Sequence, residues 1–218
     1  MLTFLIPVPL MVINAGQNTM AFPFLGIMDI GLLYPLLIIP IGVIGASNAF
    51  NMLAGYNGLE AGVGIVTLST LGIIAYSNGN TVATVVVVAT VSALAALLYF
   101  NKYPARVFPG DTLTYPVGAI VAIVAIIGNM EKSAVIIFAL YYVEFLLKAR
   151  GKLRPEWTAK LLDDGSLAVR DKVYSVPHIA ILLLRKIKGT AYEYEVVLVV
   201  LLFQVVIALF TLYSFYGS

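Results

Sequence analysis

The sequence predicts an all-α membrane protein, a polytopic bundle of about seven transmembrane helices with a cytoplasmic loop that holds a small hairpin and an interfacial helix. Three observations carry this expectation. Of 218 residues, 61% are hydrophobic and 11% charged, with a mean hydropathy of +0.99, which is more apolar surface than one soluble core can bury. Several apolar runs approach the ~20 residues that a helix needs to cross the hydrocarbon layer. Charge is also confined, because the first hundred residues carry only Asp29 and Glu60, whereas residues 148–188 hold ten of the 13 basic residues. The absence of cysteine excludes disulfides, thiolate metal sites and a cysteine nucleophile.

Residues 2–13 form a short first apolar segment interrupted by Pro7 and Pro9, with no basic leader or cleavage site that would mark a removable signal. The remaining segments are 30–46, 61–76, 81–100, 113–127, 133–147 and 196–216. Three of these fall short of a full span and must extend into their flanks or end where protein surrounds them. Parity then places the connections after the second, fourth and sixth segments on one face. They are polar: Asn48, Asn51, Asn57 and Glu60; then Asn101, Lys102, Arg106 and Asp111; then a basic stretch opening with Lys148, Arg150, Lys152 and Arg154. The opposite face has Asp29, Glu131 and Lys132, so the positive-inside rule puts the polar face in the cytoplasm.

The chain reads as a single transmembrane domain, 1–218, with residues 148–195 as a long cytoplasmic loop. Within that loop, residues 161–176, with Asp163, Asp164 and Gly165, suit a hairpin. Residues 178–188 suit a short helix with an apolar front (Ile179, Ile181, Leu182, Leu183) and a basic end (Arg185, Lys186, Lys188). Gly42 and Ala46, four apart, suit a close helix contact.

Three clusters have the composition of a site. Residues 48–58 read NAFNMLAGYNG; amide oxygens ligate hard cations and glycines admit close approach, while the same letters also describe a helix C-terminus with its turn. Residues 101–112 read NKYPARVFPGDT and set Asp111 at a helix start, either as an N-cap carboxylate or as a metal ligand beside the Phe108 ring and the cations Lys102 and Arg106. Arg150, Lys152 and Arg154 serve either as headgroup anchors or as a clamp on phosphate oxygens. Glu144 is four residues before Lys148, the spacing of an ion pair, and the lone His178 after Pro177 is given a structural place.

NAFNMLAGYNGLEAG followed by FNKYPARVFPGDT resembles the polyprenyl-phosphate N-acetylhexosamine-1-phosphate transferases of glycosyltransferase family 4, above all the dolichyl-phosphate N-acetylglucosamine-1-phosphate transferases. The resemblance implies transfer of a sugar 1-phosphate from a UDP-N-acetylhexosamine to a polyprenyl (dolichyl) phosphate, with Mg2+ as cofactor and release of UMP. By it, Asn51 and Asp111 are the magnesium ligands, Phe108 stacks on uracil with Asn57 at its edge and Gly55 beside it, and Arg150, Lys152 and Arg154 contact diphosphate and sugar. It further implies residence in the cell membrane with membrane lipid as surroundings, the site on the cytoplasmic face, and no nucleic-acid partner. Family members carry an aspartate pair and a lysine upstream of these motifs. This sequence begins downstream of both, so the expectation is an incomplete site, with a homodimer or a partner carrying the missing N-terminal helices as the means of completing it. A truncated or split, inactive membrane subunit is the alternative. A transporter is disfavoured because the polar residues collect in loops on one face and not at mid-membrane.

Overall fold

The computed structural model describes residues 7–14, 19–22, 26–151, 158–170 and 172–217. Helix α1 (Val8–Ile13) is followed by an antiparallel hairpin of β1 (Thr19–Phe22) and β2 (Gly26–Asp29), paired from Thr19 with Asp29 to Phe22 with Gly26. The hairpin has no counterpart in the sequence reading, since its strands lack the alternation that marks a half-buried strand. A π-helical turn at Tyr34–Ile38 leads into α2 (Ile39–Met52). Pro35 and Pro40 withdraw two backbone donors here, which loosens the ordinary ladder.

Next come α3 (Leu59–Ser77), α4 (Thr81–Asn101) and α5 (Asp111–Ile127). Asn80 fastens the far end of this group: its side-chain oxygen accepts the Ala83 N–H at 2.9 Å as the N-cap of α4, and its amide donates to the Ile127 carbonyl at 2.9 Å at the end of α5. Four helices are long and apolar enough to cross a membrane among the described residues: Tyr34–Met52, α3, α4 and Glu193–Tyr216. Helix α5, at 17 residues, is shorter.

The sixth apolar segment, expected as one helix, is two: α6 (Glu131–Ile137) and α7 (Ala139–Arg150), broken at Phe138. The Tyr141 N–H bonds Phe138 and not Ile137, and the Ile137 carbonyl accepts from the Gln204 side chain at 3.1 Å, which also donates to Thr67 at 3.0 Å. A buried glutamine thus satisfies backbone that the break exposes inside the bundle, where no water is available.

The loop after α7 holds β3 (Lys160–Leu161) and β4 (Leu167–Ala168), a hairpin as the sequence suggested, then α8 (Val176–Lys188) and α9 (Glu193–Tyr216). Asp164 accepts the N–H and hydroxyl of Ser166 at 2.9 and 2.7 Å, and these bonds hold its carboxyl below the ordinary value. The apolar front of α8 divides: Ile181 is buried against the bundle while Ile179, Leu182 and Leu183 are exposed. The helix therefore docks on α7 and α9 by one side and presents apolar residues outward by the other.

Helix α3 is the centre, packed by α4, α5 and α9 around a core that includes Phe50, Leu68, Leu71, Leu94, Tyr141 and Val200. Helix α2 crosses α5 backbone to backbone. A Cβ on Gly118 would lie 2.5 Å from the Ala46 carbonyl oxygen and 2.7 Å from Ser47 Cα, so only glycine permits this approach. The close contact is therefore made by Ala46, whereas Gly42 has nothing within 4 Å of where its Cβ would stand. We expect Gly118→Leu to lower the thermal midpoint of the purified protein, at a cost of about 1–3 kcal/mol for forcing the helices apart. Gly42→Ala should leave the midpoint unchanged or raise it slightly.

Candidate active site

The crossing of α2 and α5 aims both helices at one spot. One turn past Ser47, Asn51 reaches the first turn of α5, where its side-chain amide donates to the Asp111 carboxylate and to the Thr114 hydroxyl, each at 2.8 Å. The N-cap of α5 is Gly110 and makes no side-chain cap, so Asp111 stands inside the first turn with Asn51 as its partner. The positive end of the α5 dipole lies here, favourable to an anion.

Residues 53–58 turn the chain from α2 into α3, and side chains from three helices hold their backbone donors. Glu60 accepts the Gly55 N–H at 2.7 Å, Glu193 accepts the Asn57 N–H at 2.7 Å, and Asn101 accepts the Gly58 N–H at 3.1 Å. Gly58 takes a φ of +83°, and its α carbon packs so closely on α4 that a Cβ would meet Lys102 Cα at 3.3 Å. The other end of the Asn101 amide donates to the Val107 carbonyl at 2.9 Å. One buried asparagine therefore ties the 53–58 turn to the loop that presents Phe108. Tyr56 in the turn has its hydroxyl pushed up to about 12, first by burial and then by the carboxylates of Glu193 and Glu144.

These segments enclose a polar cavity of about 490 Å³, whose walls include Asn51, Gly55, Glu60, Phe108, Asp111 and Lys148. A second, apolar groove of about 460 Å³ runs between α2, α5, α6 and α7, past Gly45, Ala122 and Phe138 to the hydrogen-bonded pair Tyr34 and Glu131. Met52 lines both.

Of the residues singled out in the sequence, Asn51, Gly55, Phe108 and Asp111 share the polar cavity. Phe108 is 74% exposed. Asn57 is in the turn but outside the cavity wall, and its side-chain oxygen is buried without a hydrogen-bond partner among the described residues. Arg150 ends α7, exposed and away from the wall, while Lys152 and Arg154 lie outside the described residues. The expected pair of Glu144 with Lys148 forms at 3.0 Å. His178 is fully buried at the start of α8, where Nδ1 accepts the Tyr174 N–H at 3.2 Å.

Sequence reading missed Lys148, Asn101 and Glu193 as shapers of the site. Lys148 reads as an ion-pair partner of Glu144 and the start of the basic stretch, and Asn101 as one more polar residue of the motif NKYPARVFPGDT. Glu193 is 136 positions from Asn57 and gives no local signal.

A family model described as "Glycosyl transferase family 4" matches residues 1–129. The chain belongs to glycosyl transferase family 4. It is 38% identical over 194 residues to a protein of Saccharolobus solfataricus named "Putative UDP-N-acetylglucosamine--dolichyl-phosphate N-acetylglucosaminephosphotransferase", covering 88% of this chain and 59% of that protein. A protein of the same name from Sulfolobus acidocaldarius is 34% identical over 195 residues, covering 88% of this chain and 58% of the relative. A Shouchella clausii "Phospho-N-acetylmuramoyl-pentapeptide-transferase" is 37% identical over 118 residues, covering 54% of this chain and 36% of the relative. The chain thus spans less than two thirds of the length of these family 4 relatives.

Among the described residues, no group of three or more His, Cys, Asp or Glu could hold a metal ion. A cage built from those side chains is therefore absent there. The donor set that remains, one carboxylate at Asp111 and the amide oxygen of Asn51, fits a magnesium ion that keeps its other positions for water and phosphate oxygens.

Replacing Asn101 with alanine would leave the Gly58 N–H and the Val107 carbonyl without this partner. We expect exchange of the Gly58 amide hydrogen to accelerate roughly ten- to a hundredfold, the equivalent of about 1–3 kcal/mol, while amides in α3 beyond Val63 keep their protection.

Proposed function

We propose that the protein transfers N-acetylglucosamine 1-phosphate, or a related N-acetylhexosamine 1-phosphate, from a UDP-sugar to a polyprenyl (dolichyl) phosphate and releases UMP, as a first step of lipid-linked glycan assembly. The observation that carries this reading is the meeting of Asn51 and Asp111, sixty positions apart, at 2.8 Å in the wall of a polar cavity that adjoins an apolar groove at Met52. A water-soluble nucleotide and a lipid acceptor need such adjoining compartments, one polar and one dry. The names of the Saccharolobus and Sulfolobus relatives support the same donor and acceptor.

In this reading Phe108 offers its exposed face to the uracil ring, and Gly55, with its backbone N–H tied to Glu60, lets the base approach the turn. The first turn of α5 directs its N-terminal dipole at the diphosphate. Bound magnesium, held by Asp111 and Asn51, would neutralise the diphosphate and polarise the phosphorus under attack. The acceptor phosphate is already ionised at neutral pH, so the protein's work is alignment, exclusion of water and neutralisation of charge. An oxygen of the acceptor phosphate forms the new bond to the sugar-bearing phosphorus, and the bond to UMP breaks.

The test is UMP release from UDP-N-acetylglucosamine with a polyprenyl phosphate in detergent, by the chain together with the homodimer or partner helices expected to complete its site. We expect release to stop when EDTA removes magnesium and to return on its readdition. Asp111→Asn, which keeps an oxygen to accept from Asn51, should lower it by roughly a hundredfold or more with an unchanged thermal midpoint; Asn51→Ala should lower it as far while also losing two hydrogen bonds to α5, and full turnover in both would remove the assignment.

We also place the site on the cytoplasmic face of the cell membrane, as the concentration of basic residues in 148–188 supports. Because the chain has no native cysteine, a single cysteine at the exposed Asp163 should react with an impermeant maleimide only after the membrane is opened. Labelling of intact cells would invert the topology.

A further inference from the structure

We propose that Lys148 is the anchor for the phosphate of the lipid acceptor, set where the apolar groove opens into the polar cavity. Helix α7 and the residue before it face the groove with Phe138, Tyr141, Tyr142 and Phe145, and one turn beyond Phe145 the same helix puts Lys148 into the cavity wall. The Lys148 ammonium donates to the carbonyl of Met52, the residue that lines both compartments. It also lies 3.0 Å from the Glu144 carboxylate, which is buried and fixed in turn by the Val176 N–H at 2.6 Å. The Met52 carbonyl and the Glu144 carboxylate therefore help hold this cation at the boundary.

The groove walls are almost wholly apolar, so a tail lying in the groove gains contact there and its head must emerge beside Met52. The cation at that exit is Lys148, paired with the Glu144 carboxylate, and the other charged groups of the cavity wall among the described residues, Asp111 and Glu60, are carboxylates. A prenyl chain ending in a monophosphate matches this order of apolar wall then ammonium. Lysine presents a compact positive charge, which attracts a phosphate as a point charge. The inference rests on the transferase reading for the class of lipid, and it adds the residue that separates a phosphorylated prenyl chain from a free prenol.

The experiment measures binding and needs no turnover. The full chain in detergent is titrated by native mass spectrometry with a short polyprenyl monophosphate, with the matching polyprenol, and with UDP-N-acetylglucosamine. Wild-type protein should bind the phosphate more tightly than the prenol. Lys148→Met should weaken the phosphate roughly ten- to a hundredfold, as expected for one charge-assisted hydrogen bond, with prenol and nucleotide affinities unchanged, and Lys148→Arg should restore most of the loss. Glu144→Gln/Lys148→Met, which leaves no unpaired buried carboxylate, should reproduce the loss in a protein of wild-type thermal midpoint.

The proposal is overturned if wild-type protein does not distinguish phosphate from prenol, if prenol binding falls equally, if the loss appears in the nucleotide arm instead, or if no arm changes. Absence of nucleotide binding by wild-type protein would count against the transferase reading alone, since the lipid arms still decide the role of Lys148.

Discussion

The site depends on one steric constraint, the backbone contact of α2 with α5 at Gly118. From that contact α2 continues one turn from Ser47 to Asn51, and α5 runs back two turns from Gly118 to Asp111. At 1.5 Å of rise per residue these short lever arms leave little room for error. The side chains arrive at 2.8 Å because the helices have already been brought together by a residue with no side chain. Between lipid-soluble helices there is little hydrophobic drive to association, so packing of small residues must supply it. The same pair of helices forms two of the walls of the apolar groove, α2 on both sides of the crossing and α5 from Val121 to Ile126. One contact thus sets both compartments.

The 53–58 turn is shaped from outside itself. Three of its backbone N–H groups end on side chains of α3, α4 and α9. Two of those acceptors, Glu60 and Glu193, sit in the first turns of their helices, where the helix dipole favours a carboxylate. The donors that would shape a nucleotide pocket are consequently fixed before any ligand arrives, the arrangement that lowers reorganisation during a reaction.

Much of this was legible in the letters. Hydropathy located the four helices that are long and apolar enough to cross a membrane among the described residues, parity grouped the polar loops, and two motifs named Asn51, Phe108 and Asp111, which the fold brings into one cavity. What the letters hid are contacts between distant positions. The break at Phe138 is invisible because the run 133–147 stays apolar across it, and the residue that accommodates it, Gln204, lies on another helix. Gly118 looks like any small residue in a membrane helix until Ala46 is set against it. Lys148 reads as an ion-pair partner because its spacing from Glu144 is local, while its place beside Met52 is not. Periodicity reports what a residue does for its own helix, and these residues act on others.

Helix α5 is tied at both ends by asparagines of other segments, Asn51 at Asp111 and Asn80 at the Ile127 carbonyl, with the Gly118 crossing between them. A rod fastened so cannot slide along its axis by even one residue without breaking both ties and driving Gly118 out from under Ala46. Piston-like travel of α5 is therefore opposed at both ends and at its middle. The exposed Phe108 is carried by a loop tied to α4 through the Asn101 amide on the Val107 carbonyl and the Arg106 N–H on the Phe100 carbonyl, so the register of α5 and the setting of that ring are fixed by separate bonds.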